Sequence, residues 1–505
     1  MPQGVLPYKY EEEKNDTGMT ALAGLPVYLD LAHMIGLSDS IGTHMHVRGS
    51  QGWTDEQILE SLILLNLAGG DCVEDLTRLE KDEGFGRVLR RVELKGLSRK
   101  ERREQERRWR KERRRALPSQ SAVFRYLAAF HDAEQEKQRI SGKAFIPVPN
   151  EHLRGLAKVN KDLVGAMQKR HPEEVATLDM DATLVETRKK SALFCYDGYR
   201  AYQPFNVWWA EQEMILYTEF RDGNVPAGYE QLRVFKEALG YLPEGVEKVR
   251  LRSDTAGYQH DLLGYCELGK DERFGRIEFA IGCDVTKEFK KSVAQVEESD
   301  WKPIFRKVNG KLVKTGREWA EVCFVPNAIG HSKKGPEYRY LATREALQME
   351  LPGMELQRDL PFQTLKLSKQ NYKIFGTVTN MDWDGEALIH WQHERCGKSE
   401  EAHAVMKEDL AGGKLPSGKF GENAAWWWIM ILALNLNALM KRLALRKSWV
   451  SKRMKAMRFS FINLPGRVLE HARNLIVRLA NGHPSLEILL AARSRIMGLT
   501  REASG

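Results

Sequence analysis

The chain has 505 residues, 42% of them hydrophobic and 29% charged; this is a globular composition too long for one ordinary core, and three or four domains are expected. Lys and Arg number 78 against 69 Asp and Glu, for a formal net charge of +9, which favours polyanionic partners because neutralised phosphates release counterions. The six cysteines (Cys72, Cys195, Cys266, Cys283, Cys323, Cys396) form no C-x-x-C pair, which argues against a zinc ribbon or a disulfide framework.

Met1 to Pro7 lacks a charged stretch followed by an apolar one, so no secretory signal is expected, and reduced thiols fit a cytosolic protein. From Thr20 to Leu79 the pattern is helical. Leu22, Leu25, Tyr28, Leu31 and Ile35 recur at three and four spacing, and Thr54 is positioned to cap a Leu-rich segment. Between Arg99 and Arg115 there are eleven Arg or Lys and four Glu, with Trp109 among them. Two readings stay open here: a solvated helix laced with ion pairs, or an arm that tracks phosphates through Arg107, Arg108, Arg110, Arg113 and Arg114. Pro118 and Ser119 then announce a helix that would suit the second member of a helix-turn-helix.

After a Pro- and Gly-containing loop the texture changes. Val175 to Asp181 alternates, with Asp179 and Asp181 on one face. Strand-like stretches follow at Gln203 to Trp209 and Met214 to Phe220, then a helix carrying Leu232, Phe235 and Leu239. Val246 to Leu251 reads as a strand that delivers Asp254 just past its end. Strand, strand, strand, helix, strand, with one Asp in the first strand and one after the fourth, is the order of a ribonuclease-H-like core. Adjacent strands lie about 4.8 Å apart, close enough for such carboxylates to share metal ions. Either Asp179 or Asp181 suits the first position.

Strand-like stretches from Arg276 to Val378 suggest a mostly β insertion before Glu400, which shares a helical face with His403 and Lys407. The apolar run Ala424 to Leu434 is short of the about 20 residues a bilayer span needs, so a buried helix and no membrane association are expected. Lys441 to Arg458 is basic again. The expected organisation is a helical DNA-binding region (1–150), a first core segment (151–286), an inserted β-rich domain (287–380), a second core segment (381–445) and a helical basic end (446–505). The fold class is α/β.

Three blocks resemble those of DDE transposases from bacterial insertion sequences: Leu-Asp-Met-Asp-Ala-Thr ending at Thr183, Ser-Asp-Thr-Ala-Gly-Tyr ending at Tyr258, and Glu400 followed by Lys407. Family members carry Tyr, Arg, Glu and Lys separated by two, three and six residues. Glu400 and Lys407 fit the last spacing, whereas His393 and Cys396 stand at the Tyr and Arg positions, with Arg395 one place early. Gly397-Lys-Ser-Glu400 and Leu415 to Ala425 are similar to the group of insertion sequences numbered thirteen-eighty, as are Gly52-Trp-Thr-Asp55 and Gly69-Gly-Asp71.

The resemblance implies that Asp181, Asp254 and Glu400 hold two Mg²⁺ ions, with Mn²⁺ as a possible substitute, for cleavage at transposon ends and attack of the freed 3′-hydroxyl on target DNA. It implies that Lys407 and Arg395 contact DNA phosphates and that two copies act together in the synaptic complex. The rival expectations are a transposase descendant that only binds DNA, and a nuclease of the same fold without strand transfer.

Overall fold

The computed structural model describes residues 17–47, 52–111, 115–308, 310–326, 337–347, 362–367, 370–472 and 474–502. The chain begins with α1 (Pro26–Met34), α2 (Leu37–His44) and α3 (Asp55–Ala68). α3 starts at Thr54 because its hydroxyl accepts from the Gln57 N–H while the Gln57 side chain accepts from the Thr54 N–H, a reciprocal cap worth about 1 kcal/mol.

The basic stretch forms α4 (Arg99–Lys111). Arg107 is exposed on it and Trp109 is buried; the side chains of Arg108 and Arg110, and the residues Arg113 and Arg114, lie outside the described residues. By contrast α5 (Gln120–Leu127), capped by Ser119, buries Ala122, Val123, Tyr126 and Leu127. It is a core helix. α6 (Glu151–Arg170) leads into the sheet.

β1 (Val175–Ala182) is its central strand. β2 (Phe205–Trp209) and β3 (Met214–Glu219) extend it antiparallel on one side. After α7 (Gln231–Tyr241), β4 (Lys248–Ser253) and β5 (Glu278–Cys283) add parallel strands on the other. A parallel neighbour needs a crossover, and the path through α7 supplies it.

The insertion contributes β6 (Lys302–Val308), β7 (Lys311–Glu321), β8 (Arg339–Ala346), β9 (Thr364–Leu367) and β10 (Gln370–Thr379). β10 pairs with β5 from Gly376↔Cys283 to Thr379↔Ala280. The inserted strands therefore continue the central sheet, to ten strands in the order β3-β2-β1-β4-β5-β10-β8-β7-β6 with β9 beside β10.

α8 (Gly385–Ala404) follows and runs on into a wider turn at Val405–Asp409. α9 (Phe420–Leu439), with its continuation to Ala444, is the one helix among the described residues long and apolar enough to cross a membrane; 94% of its most apolar window is buried inside the protein. The C-terminal stretch holds α10 (Ser485–Glu502) and also a hairpin, Gly466–His471 with Asn474–Arg478, whose first strand pairs with Met19–Thr20. Val468 is buried in it while the adjacent Arg467, which points to the opposite face of the strand, is exposed.

α9 is anchored by polar side chains inside its apolar length. Asn435 donates to Asn160 of α6 (2.7 Å) and to the Ile215 carbonyl, and accepts from the Ile215 N–H. Asn435→Ala strands these buried groups, and urea unfolding should show a loss of about 1–3 kcal/mol.

Candidate functional site

The parallel pairing of β1 and β4 decides the site. Register runs from Val175↔Lys248 to Met180↔Ser253, so the next residues on each strand, Asp181 and Asp254, come to neighbouring strand ends. Asp254 leaves the strand into a short turn, where its Oδ1 accepts from the Ala256 N–H at 3.0 Å. Burial pushes its carboxyl above the ordinary carboxylate range; Arg395 opposes that rise and the charge of Asp181 adds to it.

Asp181 faces α8. Ser399 donates to its Oδ2 at 2.5 Å, Arg395 Nη1 lies 3.2 Å from the same oxygen, and His403 Nδ1 lies at 4.0 Å. Positions 395, 399 and 403 are four apart, so one stripe of the helix is turned onto the strand. Burial holds the His403 imidazole below its usual range, against the pull of Asp181. Arg395 was expected to reach a DNA phosphate; in the structure it balances Asp181, its side chain is 9% exposed, and its Nε is buried without a partner.

Asp179, the other candidate on this face, is taken. Arg252 Nε and Nη2 donate to its two oxygens at 2.6 and 2.8 Å, with both side chains 2% exposed. Arg252 Nη1 also donates to the Trp391 carbonyl of α8 at 2.6 Å. Asp179 is thus a structural anion held by Arg252.

Glu400 is exposed on α8, and the ligand oxygens of Asp181, Asp254 and Glu400 do not all lie within 4.8 Å of one another. Lys407 sits in the turn after α8, donates to the Leu184 carbonyl at 3.3 Å, and is held below the usual lysine range by burial. Among the described residues it forms no ion pair with Glu400 or Glu401. The structure therefore gathers Asp181, Asp254 and Arg395, adds Ser399 and His403, and leaves Glu400 exposed on α8 outside that cluster. The four-residue spacing of Arg395, Ser399 and His403 was visible in the sequence, but nothing there marked it as the inward stripe.

Two partly buried carboxylates that repel each other, offset by one guanidinium, are a hard oxygen donor set that fits Mg²⁺ or Mn²⁺ better than a soft metal. The family profile described as Transposase DDE domain group 1 matches residues 12–501. No curated protein matches the chain. Among solved structures it is similar to a piggyBac transposase synaptic complex with hairpin DNA, at 10% identity and a TM-score of 0.40, over 87% of this chain and 79% of that one.

Asp179→Ala leaves the buried Arg252 guanidinium with only the exposed Glu394 carboxylate, 3.7 Å away, as a charge partner, and denaturant unfolding should register a loss of about 3–5 kcal/mol; replacing both Asp179 and Arg252 with apolar side chains should cost less than this single change. The Asp254 carboxyl, raised in the folded state, holds its proton above the pH at which the unfolded chain releases it. Its contribution to stability therefore falls as pH rises from the ordinary aspartate value through the folded one. Without divalent ions, Asp254→Asn should melt higher than the wild type at neutral pH, and the gap should shrink as pH is lowered through that window.

Proposed function

The chain belongs to the DDE transposases of group 1, and from that membership we propose that it cleaves DNA at the ends of a mobile element and joins the freed 3′-hydroxyl to target DNA, using Mg²⁺. The observation that carries this reading is the pairing of Asp181 with Asp254 on adjacent parallel strand ends beneath α8. We read the order β3-β2-β1-β4-β5 as a ribonuclease-H-like sheet extended by the insertion, and the blocks quoted above as those of the thirteen-eighty group.

Asp181 and Asp254 would hold the metal, with Glu400 as third ligand. On the helical wheel Glu400 lies on the opposite flank of α8 from Lys398, Ala402 and Val405, which face Trp208 on β2. Asp254 belongs to the strand on the other side of β1 from Trp208, which supports Glu400 over Glu401. When bound, paired divalent ions supply activation of the attacking oxygen and charge stabilisation on the leaving oxygen. The residues of the chain do the rest. Ser399 orients Asp181 through its hydroxyl, and Arg395 neutralises the carboxylate pair; with divalent ions held by Asp181 and Asp254, its guanidinium would be available to a phosphate oxygen. Lys407, fixed beside Leu184 at the end of β1, offers a point charge to the DNA backbone. Two copies acting on two ends would complete the synaptic complex.

The test is incubation of the full chain with duplex DNA carrying the element's own termini, in Mg²⁺ and then in Mn²⁺. Wild type should nick at the termini and, given target DNA, form joined products. Asp181→Asn and Asp254→Asn should each lower cleavage by about 10³-fold or more, the equivalent of several kcal/mol of transition-state stabilisation, while duplex binding persists. Unchanged cleavage in either variant would remove the assignment.

A further inference from the structure

Beside the carboxylate pair, the same face of the sheet carries a second recess. It has a volume of about 250 Å³ and is formed by α8, the C-terminal end of α9 with its following turn, the stretch from Val450 to Met454, and Trp208 of β2. The basic run that begins at Lys441 has its first residues here. Five cations line the recess, Lys398, Lys441, Arg442, Lys452 and Arg453, against the two carboxylates Glu213 and Glu401.

Those carboxylates do not satisfy the cations. Arg442 reaches Glu213 only at 3.7 Å, and its Nε is buried with no hydrogen-bond partner. The indole N–H of Trp208 is likewise buried and unpartnered. Lys441 is occupied by the Val450 carbonyl at 3.2 Å, and its burial lowers its affinity for a proton. Lys398 and Lys452 have no carboxylate within ion-pair distance among the described residues; Lys452 lies over the Trp449 ring. Arg453 alone is well paired, with Asp409. Buried donors in native proteins are almost always matched. A recess in which donors outnumber acceptors, rimmed by cations, calls for a ligand that is all acceptor, and a phosphate has several oxygens of that kind.

Position identifies which phosphate. Trp208 pairs directly with Asp179, and Asp181 lies two residues further along β1. One strand across and two residues along is roughly 8 Å in sheet geometry. α8 also serves both places: Arg395 and Ser399 face Asp181, while Lys398 and Ala402 line the recess. A nucleic-acid strand laid on the carboxylate pair therefore passes the mouth of the recess.

We propose that this recess binds a non-scissile backbone phosphate of the DNA strand whose neighbouring phosphodiester lies at Asp181 and Asp254, with Arg442, Lys441 and the Trp208 N–H as its donors. The inference rests on the DNA-processing reading above and adds to it a positioning site outside the metal-binding carboxylates. It also gives Trp208 a defined role: a neutral donor whose loss weakens binding without removing charge.

The experiment measures the affinity of the full chain for a duplex oligonucleotide as a function of salt. Lys441→Gln and Arg442→Gln should each bind more weakly and lose about one unit of the slope of log affinity against log salt, a roughly fourfold smaller loss of affinity between 50 and 200 mM salt. Trp208→Phe, which keeps a ring in place, should bind about tenfold more weakly with the wild-type slope. Arg442→Lys should recover the slope lost in Arg442→Gln, and matching thermal unfolding curves exclude misfolding as the cause. Wild-type affinity and slope in all three loss variants would overturn the recess as a phosphate site and leave the proposed activity standing. Failure of the wild type itself to bind duplex DNA would instead overturn the activity, and the inference with it.

Discussion

Arg252 is the residue on which the geometry of the site depends. A single guanidinium on β4 grips both oxygens of Asp179 on β1 and the Trp391 carbonyl on α8, and its plane lies over the Trp391 ring at 4.9 Å. Those contacts fix the lateral register of two strands and the depth of the helix above them. An arginine suits this position because its fork matches a carboxylate with two parallel bonds and still leaves a donor for a third acceptor. Two residues further along both strands come Asp181 and Asp254, and one helical turn along α8 comes Arg395. The carboxylate pair and Arg395 inherit their positions from the buried ion pair beside them.

The site itself is not at an electrostatic minimum. Asp254 is desolvated and feels the charge of Asp181, while Asp181 draws Arg395, Ser399 and His403 to itself. Arg395 in turn keeps a buried Nε unmatched. Carboxylates held together against repulsion lose stability in the apo protein and gain affinity for a cation in return. The same logic applies next door, where Trp208 and Arg442 present N–H groups without acceptors. The two neighbouring places have opposite charge character, one short of cations and one short of anions.

Much of the scaffold was legible in the sequence because a strand buried on both faces or alternating between them leaves a local signature. Val175 to Asp181 falls on an observed strand, Met214 to Phe220 overruns one by a single residue, Val246 to Leu251 overlaps one that starts and ends two residues later, and the Thr54 cap and the apolar run of α9 left equally local marks. The choice between Asp179 and Asp181 was not legible, since they share a face and differ only in a partner 73 residues away from Asp179. Nor was the inward stripe of α8: its polar residues ring the helix almost evenly, so composition could not tell Ser399 from Glu400 as the one that meets Asp181. That β10 would pair with β5, making the insertion an extension of the sheet, is a long-range fact with no local mark.

The insertion also explains how α8 acquires its phase. Gly385, the first residue of the helix, packs so closely on the Trp319 ring of β7 that any Cβ there would collide with it. Glu386 accepts from the Phe305 N–H of β6 at 2.6 Å, and Arg339 of β8 donates to the Trp383 carbonyl just before the helix at 2.5 Å. Asn380, at the exit of β10, accepts from the Phe279 N–H of β5 and donates to the Ile277 carbonyl. The seat of α8 is thus built from inserted strands, while its middle is held by Arg252. A helix fixed at its first turn and again near Trp391 has no freedom left to rotate at position 399, because each residue is locked at about 100° from the last. Removing the inserted strands would therefore do more than trim a surface: it would release the phase that decides which side chains of α8 meet Asp181, and with it the balance of charge at the carboxylate pair.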